Sequence, residues 1–252
     1  MTIEQAEPIR FRIKRQDKPK ADPYWEEFEV THHPAMNVIS ALMEIRRHPV
    51  NVRGQRTTPV VWSSACLEEV CGSCTMLVNG RVRQACSTLV EKLEQPIVLE
   101  PMSKFPVVRD LRVDRSRMFE ALKQIKGWIA IDGTYDLGPG PSVSPEIQQV
   151  GYALSRCMTC GCCLEACPQY NGNSPFIGAA AISQARLFNL HPTGAMQSDL
   201  RLDALMGEGG LESCGNAQNC VEVCPKEIPL TTSIAEMERE ATKRMFRKLL
   251  GK

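Results

Sequence analysis

Twelve cysteines in a chain of 252 residues limit what this protein can be more than any other feature of it. They fall into three groups: Cys66, Cys71, Cys74 and Cys86; then Cys157, Cys160, Cys162, Cys163 and Cys167; then Cys214, Cys220 and Cys224. An even count is compatible with disulfides, but residues 1–10 carry two glutamates and no apolar stretch, so no secretory leader is expected. A chain of this length has neither the oxidising compartment nor the need for so many staples. Closely spaced thiols point to metal instead. Thirty basic and 29 acidic side chains leave a net charge of +1, which gives no polyelectrolyte signal for nucleic acid. No stretch approaches the roughly 18 consecutive apolar residues of a membrane span. The most apolar run, 176–182, is short and contains Gly178. A soluble chain on the cytoplasmic side is expected.

The first group reads C-x4-C-x2-C with a fourth cysteine further on, the plant-type spacing for a 2Fe–2S cluster. Such a loop wraps a compact anionic cluster, offering three thiolates while backbone N–H groups face the sulfides. Gly72 lies between the second and third ligands, where a Cβ would obstruct close approach. Asn79-Gly80 is a two-residue hairpin signal between Thr75–Val78 and Arg81–Ala85, which returns the chain so that Cys86 closes the site. A zinc site is the alternative, but structural zinc favours short cysteine pairs separated by a longer loop.

The second group contains Cys157-x2-Cys160-x2-Cys163-x3-Cys167-Pro168, the bacterial ferredoxin run, whose last cysteine ligates the other cluster of a two-cluster protein. A second half is therefore required. Shifting each position by 57 residues lands on Cys214, Ala217, Cys220, Cys224 and Pro225. Crossed ligation gives one 4Fe–4S cluster the set Cys157, Cys160, Cys163 and Cys224. The other cluster receives Cys167, Cys214 and Cys220, with Ala217 where a fourth ligand would sit. An unligated cubane corner readily loses its iron, so a 3Fe–4S cluster is expected there. The alternative is a 4Fe–4S cluster with water or another group at the open iron. Cys162 is left over and reads as a small, partly buried free thiol.

Around these groups the pattern divides the chain into residues 1–113 and 114–252. Ile9, Phe11 and Ile13 alternate with Arg10, Arg12 and Lys14, the period of a half-buried strand, and Phe28 and Val30 suggest its partner. Val38, Ala41, Leu42 and Ile45 form a helical stripe ending at residues 46–49, and Val60–Trp62, the hairpin and Ile97–Leu99 supply further strands. This order fits a β-grasp ferredoxin domain. Beyond it, Asp114 or Ser116 caps a helix with Met118, Phe119, Leu122 and Ile125 as its apolar face. The glycine- and proline-rich stretch Asp132–Pro145 is irregular. Helical patterns resume near Glu146 and continue over Ala179–Leu190, Leu200–Met206 and Thr232–Leu250. The fold class is therefore α+β: a 2Fe–2S β-grasp domain followed by an α-helical ferredoxin domain with two cubane-type clusters. The last helix carries Arg239, Lys243, Arg244, Arg247 and Lys248, which read as a solvated face suited to a negative helix end. Contact with anionic lipid or a partner is the second reading. No nucleophile with a paired base is evident. His32, His33, His48 and His191 have no metal-like spacing and read as surface or loop residues.

One plant-type site followed by a crossed cubane pair resembles the iron–sulfur subunits of succinate dehydrogenase and fumarate reductase. The resemblance covers nearly the whole chain: residues 66–74, Met76, Asn79-Gly80, Arg109-Asp110-Leu111 with Val113-Asp114, and both Cys-Pro steps. Residues 66–74 and 132–141 look most like the Gram-positive, menaquinone-linked branch. The resemblance implies an assembly held on the cytoplasmic face of the cell membrane. A flavoprotein subunit with covalent FAD would oxidise succinate. This chain would pass the electrons singly through 2Fe–2S, 4Fe–4S and 3Fe–4S. A membrane-anchor subunit of cytochrome b type, with haem b, would hold the quinone beyond the last cluster, with Pro168 on the quinone side. In one respect the chain departs from the ubiquinone-linked members. They place a tryptophan five residues after the first 3Fe–4S cysteine and a histidine directly after the second; here those positions are Gly172 and Gly215. Menaquinone is the quinone expected. The same subunit working in a fumarate reductase, or serving another flavin dehydrogenase, are alternatives. A free ferredoxin-like carrier is a poorer fit, because such carriers are small and strongly acidic.

Overall fold

The computed structural model describes residues 8–129 and 141–251, and the chain divides into two units, Met1–Arg115 and Ser116–Lys252. In the first, strands β1 (Pro8–Arg15), β2 (Tyr24–Thr31), β3 (Thr75–Val78), β4 (Arg81–Gln84) and β5 (Ile97–Glu100) form one sheet in the order β2-β1-β5-β3-β4. Strand β1 is antiparallel to β2, with Phe11 opposite Phe28, and parallel to β5, with Phe11 opposite Ile97. Its alternation buries Ile9, Phe11 and Ile13 as expected, and carries on to bury Arg15 as well. Helix α1 (Val38–Arg47) starts where Asn37 Oδ1 accepts the Ser40 N–H at 2.8 Å, and its apolar stripe joins the core under the sheet.

A short pair, β6 (Val107–Arg109) and β7 (Arg112–Val113), follows, turning at Asp110 with φ 48°. Asp110 is fully buried and is where Arg15 ends: Asp110 Oδ1 accepts from Arg15 Nε at 2.9 Å and from the Gln16 N–H at 3.2 Å. Arg15 also pairs with Glu26 and donates to Thr58. Val60–Trp62 forms no strand. The Val61 N–H donates to Asp110 Oδ2 at 2.9 Å and its carbonyl accepts from the Leu111 N–H at 3.0 Å. Its backbone groups are thus taken by the β6–β7 turn.

The described part of the second unit is helical. Its elements are α2 (Ser116–Gln124), α3 (Pro145–Ser155), α4 (Cys162–Glu165), α5 (Ala179–Leu190), α6 (Pro192–Ala195), α7 (Ser198–Leu205), α8 (Asn219–Glu222) and α9 (Leu230–Leu249). Helix α2 buries Met118 and Ala121, with Ile125 just beyond its end, and leaves Phe119 exposed. Residues 118, 121 and 125 lie on one face at helical spacing, and 119 points about a third of a turn away. Most of the irregular stretch foreseen from Asp132 lies outside the described residues. Ser144 caps α3, with Pro145 at its first position.

Helix α5 is central, packing against α2, α3, α4, α6, α7 and α9. Small residues let α5 and α9 approach closely, with Ser183 Oγ and Ser233 Oγ 3.4 Å apart. Arg201 of α7 is fully buried and donates to the carbonyls of Lys126, Trp128 and Gly194 and to Asn189 Oδ1, tying the end of α2 to α6. The five cations of α9 each meet a carboxylate. Arg239 and Lys243 pair with Glu236 and Glu240 along the helix, and Arg244, Arg247 and Lys248 pair with Asp199 and Asp203 of α7. That agrees with the solvated-face reading. Among the described residues no helix is long and apolar enough to cross a membrane.

Candidate iron–sulfur sites

The β3–β4 turn has Asn79 and Gly80 both at positive φ, the two-residue hairpin geometry. Asn79 fastens it, donating from Nδ2 to the Glu94 carbonyl at 2.9 Å and accepting the Val98 N–H at 2.7 Å. The hairpin brings Cys86 beside Cys74, where the Ala85 N–H donates to the Cys74 carbonyl at 3.2 Å. Cys66 and Cys71 lie on the loop before β3. Leu67, Glu69 and Gly72 all adopt left-handed backbone there, which turns successive N–H groups inward. The N–H groups of Glu68, Val70 and Cys71 donate to Cys66 Sγ at 3.4, 3.3 and 3.3 Å, and those of Cys66 and Ser73 donate to Cys71 Sγ at 3.5 Å. The loop and the hairpin end are joined where Ser87 Oγ donates to Glu69 Oε1 at 2.7 Å.

This is a cradle for negative sulfur. The Cys66 N–H, then the Ser73 hydroxyl, pull the Cys71 thiol down to about 6. Burial pushes the inner Cys74 thiol up to about 12, so its ionisation requires a compensating cation at the site. Four thiols and a ring of inward N–H groups fit an anionic cluster with cationic iron corners. Leu67 and Val70 stand exposed at the tip of this loop.

In the second unit the two cysteine runs are structural copies as well as sequence copies. The 57-residue offset maps Thr159 (φ 50°) onto Asn216 (φ 50°), Gly161 (φ 88°) onto Gln218 (φ 64°), and α4 onto α8. Each copy turns its chain through two left-handed residues into a single helical turn. Two cavities open to solvent result, each with about 360–370 Å³ of space between atoms when the solvent at its mouth is included. Cys157, Cys160, Cys163 and Cys224 line one, and Cys167, Cys214 and Cys220 line the other, together with Ala217. The structure therefore brings together the crossed sets that the spacing implied. Ala217 borders the second cavity, as its offset from Cys160 requires.

Burial raises the Cys163 thiol well above its ordinary value; Cys160, Cys157 and Cys224 of the same cavity add to this, and Cys220 of the other adds last. Burial likewise raises Cys220, with Cys167 and Cys214 as its charged neighbours. Burial raises Cys157, opposed by the Thr159 N–H and the Gln184 side chain. Thiolates crowded in this way are stable when iron charge is shared among them. Among the described residues no three His, Cys, Asp or Glu side chains are spaced for one metal ion; the sulfurs instead surround volumes. The first turns of α5 and α9 serve both cavities: Ala180 and Leu230 face the four-cysteine cavity, Ala179 and Thr231 the three-cysteine one. Their positive helix ends suit anionic contents.

Cys162 is fully buried rather than partly so, and it borders the four-cysteine cavity. Pro168 and Gln169 lie on the exposed rim of the other cavity with Gly215 and Asn216. A Cβ on Gly215 would fall 2.2 Å from Gln169 Nε2, so the room beside Cys214 is taken by the Gln169 amide, while Gly172 faces open space. None of the histidines lines a cysteine cavity; His191 instead caps α6. Sequence reasoning passed over Gln84, which carries no motif although it lies two residues before Cys86, and over Arg115 and Gln184, whose partners Gly72 and Cys157 lie far away along the chain.

Comparison with known proteins extends this picture. A family model described as a 2Fe-2S iron-sulfur cluster binding domain matches residues 10–120, and one described as a 4Fe-4S dicluster domain matches residues 153–228. The chain is 61% identical over 249 residues to the succinate dehydrogenase iron-sulfur subunit of Bacillus subtilis (strain 168), covering 99% of this chain and 98% of that one. It is 28% identical over 237 residues to the fumarate reductase iron-sulfur subunit of Wolinella succinogenes, covering 92% and 96%. Among solved structures, a chain of the Mycobacterium smegmatis Sdh1 complex in the apo form shares the fold, with a TM-score of 0.75 at 23% identity over 96% and 98% of the two chains. With a 2Fe–2S domain ahead of a dicluster domain, and with such identity along nearly its full length, the chain belongs to the family of iron–sulfur subunits of succinate dehydrogenases and fumarate reductases.

Proposed function

We propose that this chain is the electron-transferring subunit of a succinate dehydrogenase. It takes electrons singly from the FAD of a flavoprotein subunit and delivers them to menaquinone at a cytochrome b-type membrane anchor, on the cytoplasmic face of the cell membrane. The observation that carries this reading is the 61% identity, sustained over 99% of the chain, to a succinate dehydrogenase subunit.

When bound, the three clusters supply one-electron acceptor and donor sites in series. The residues of the chain hold, tune and insulate them. Cys66, Cys71, Cys74 and Cys86 would hold 2Fe–2S; Cys157, Cys160, Cys163 and Cys224 would hold 4Fe–4S; Cys167, Cys214 and Cys220 would hold 3Fe–4S. Ala217, bordering the three-cysteine cavity, offers no donor for a fourth iron. Backbone N–H groups directed at Cys66 and Cys71 stabilise thiolate charge and favour the reduced state of what they hold. Ile228 and Leu230 beside one cavity, and Phe176 and Ile234 beside the other, exclude water. The exposed rim at Pro168 and Gln169 is the side from which electrons would leave for the quinone. Nothing in this reading asks the chain to bind dicarboxylate.

The test is turnover of the purified complex. Succinate should reduce a menaquinone analogue, and a Cys220→Ser complex should keep succinate-to-dye activity at the flavin while losing quinone reduction. A complex that reduces ubiquinone analogues but not menaquinone analogues would contradict the quinone assignment, and a chain that purifies without a flavoprotein would contradict the role itself.

A further inference from the structure

The carbonyl of Gly72 lies between Cys71 and Cys74, on the loop that would carry three of the four 2Fe–2S ligands. Arg115 donates to this oxygen from Nη1 at 2.6 Å and from Nη2 at 2.7 Å. These are short, charge-assisted bonds from both prongs of one planar fork. Thr75 Oγ1 reaches the same carbonyl at 3.0 Å and in turn accepts from Gln84 Nε2 at 2.7 Å. Thr75 and Gln84 are buried, and Gln84 also touches Cys74 Sγ at 3.5 Å. A connected polar network therefore runs from a guanidinium, through the loop, to the innermost cysteine.

The base from which Arg115 reaches is well fixed. The preceding Asp114 N–H donates to the Pro106 carbonyl at 2.8 Å, and the β6–β7 turn just before it is held by buried Asp110. Gly72 needs such a hold. It is at φ 68°, and its carbonyl must stay turned back for the neighbouring N–H groups to face the sulfurs.

We infer that Arg115 is a positioning residue for the 2Fe–2S centre, locking the 71–74 loop through the Gly72 carbonyl and raising the potential of the centre by its positive charge. This rests on the assignment of Cys66, Cys71, Cys74 and Cys86 as ligands. The physical reason is Coulombic. One-electron reduction adds negative charge to the centre, and a half-buried cation against its loop stabilises the reduced state more than the oxidised one.

The experiment is an EPR-monitored redox titration of the whole complex, comparing wild type with Arg115→Lys and Arg115→Gln. The 2Fe–2S potential should fall in Arg115→Gln and lie in between for Arg115→Lys, which keeps the charge but loses the fork. The potentials of the other two clusters should not move. Loss of the 2Fe–2S signal in Arg115→Gln with its retention in Arg115→Lys would also support the inference. An unchanged potential in Arg115→Gln, a potential in Arg115→Lys as low as in Arg115→Gln, or loss of the signal from both variants would overturn it. Absence of a 2Fe–2S signal from the wild-type complex would instead defeat the ligand assignment beneath it.

Discussion

At the scale of single residues, two side chains carry consequences out of proportion to their size. Ala217 stands where the repeat calls for a thiol and borders the cavity of Cys167, Cys214 and Cys220. Ala217→Cys should therefore convert the three-cysteine site to a 4Fe–4S centre, read as loss of the EPR signal of the oxidised complex. Retention of that signal would show that the cysteine does not reach the open corner. Asp110 is the other. It is fully buried, accepts from Arg15 and from two backbone N–H groups, and so holds β1, residue 61 and the β6–β7 turn together. Replacing it by alanine leaves the buried Arg15 guanidinium with Glu26 as its carboxylate and strips the Gln16 and Val61 N–H groups of their acceptor, each such loss costing about 1–3 kcal/mol. Asp110→Ala is expected to release the 2Fe–2S chromophore at a markedly lower temperature than wild type, and an unchanged transition would refute that role. Arg15 shows how far sequence reading reaches. The alternation of Ile9, Phe11 and Ile13 already pointed its side chain inward, but its partner sits 95 residues away and no pattern announces it.

At the scale of elements, the legible part was whatever repeats. Helix α1, the β3–β4 hairpin, α5 and both cysteine runs follow from periodicity or spacing, and the 57-residue offset extends to backbone φ and to the α4 and α8 turns. The illegible part was whatever depends on a distant acceptor. Val60–Trp62 has strand-like residues, yet the Asp110 carboxylate and Leu111 take its backbone groups, and Phe119 leaves the face that composition alone would give it. Arg115 and Gly72, 43 residues apart, are a further case. Helix α9 was legible as basic, but its carboxylate partners on α7 were not. Those partners give a pH dependence. Arg244, then Lys248, hold the Asp203 carboxyl below its ordinary value of 3.8. A depressed carboxylate pKa contributes stability that is complete above the unfolded-state value and is lost as pH falls through the folded one. Amide exchange near the end of α9 should accelerate as pH drops below about 3.9, relative to the rest of the helix and after correction for intrinsic exchange. In Asp203→Asn that extra step should be absent. If wild type and variant show the same profile, the α7–α9 pairs do not brace the helix.

At the scale of the whole molecule, the chain is built to hold and insulate: its net charge is near zero and its paired cysteine runs are embedded in apolar walls. Near-neutrality suits a permanent subunit more than a carrier that finds partners by electrostatic steering. Each unit also exposes uncharged groups beside its cysteines: Leu67 and Val70 on the loop of the first unit, and the rim of Pro168, Gln169 and Asn216 at the three-cysteine cavity of the second. Low-temperature EPR of the complex, prepared without oxygen, oxidised and then reduced in steps, tests whether three different clusters sit in these three sites. Oxidised 2Fe–2S and 4Fe–4S centres are silent, whereas oxidised 3Fe–4S carries one unpaired spin. The expected result is a near-isotropic signal in the oxidised sample that vanishes on mild reduction as a 2Fe–2S signal appears. A silent oxidised sample that yields two cubane signals on reduction would contradict it.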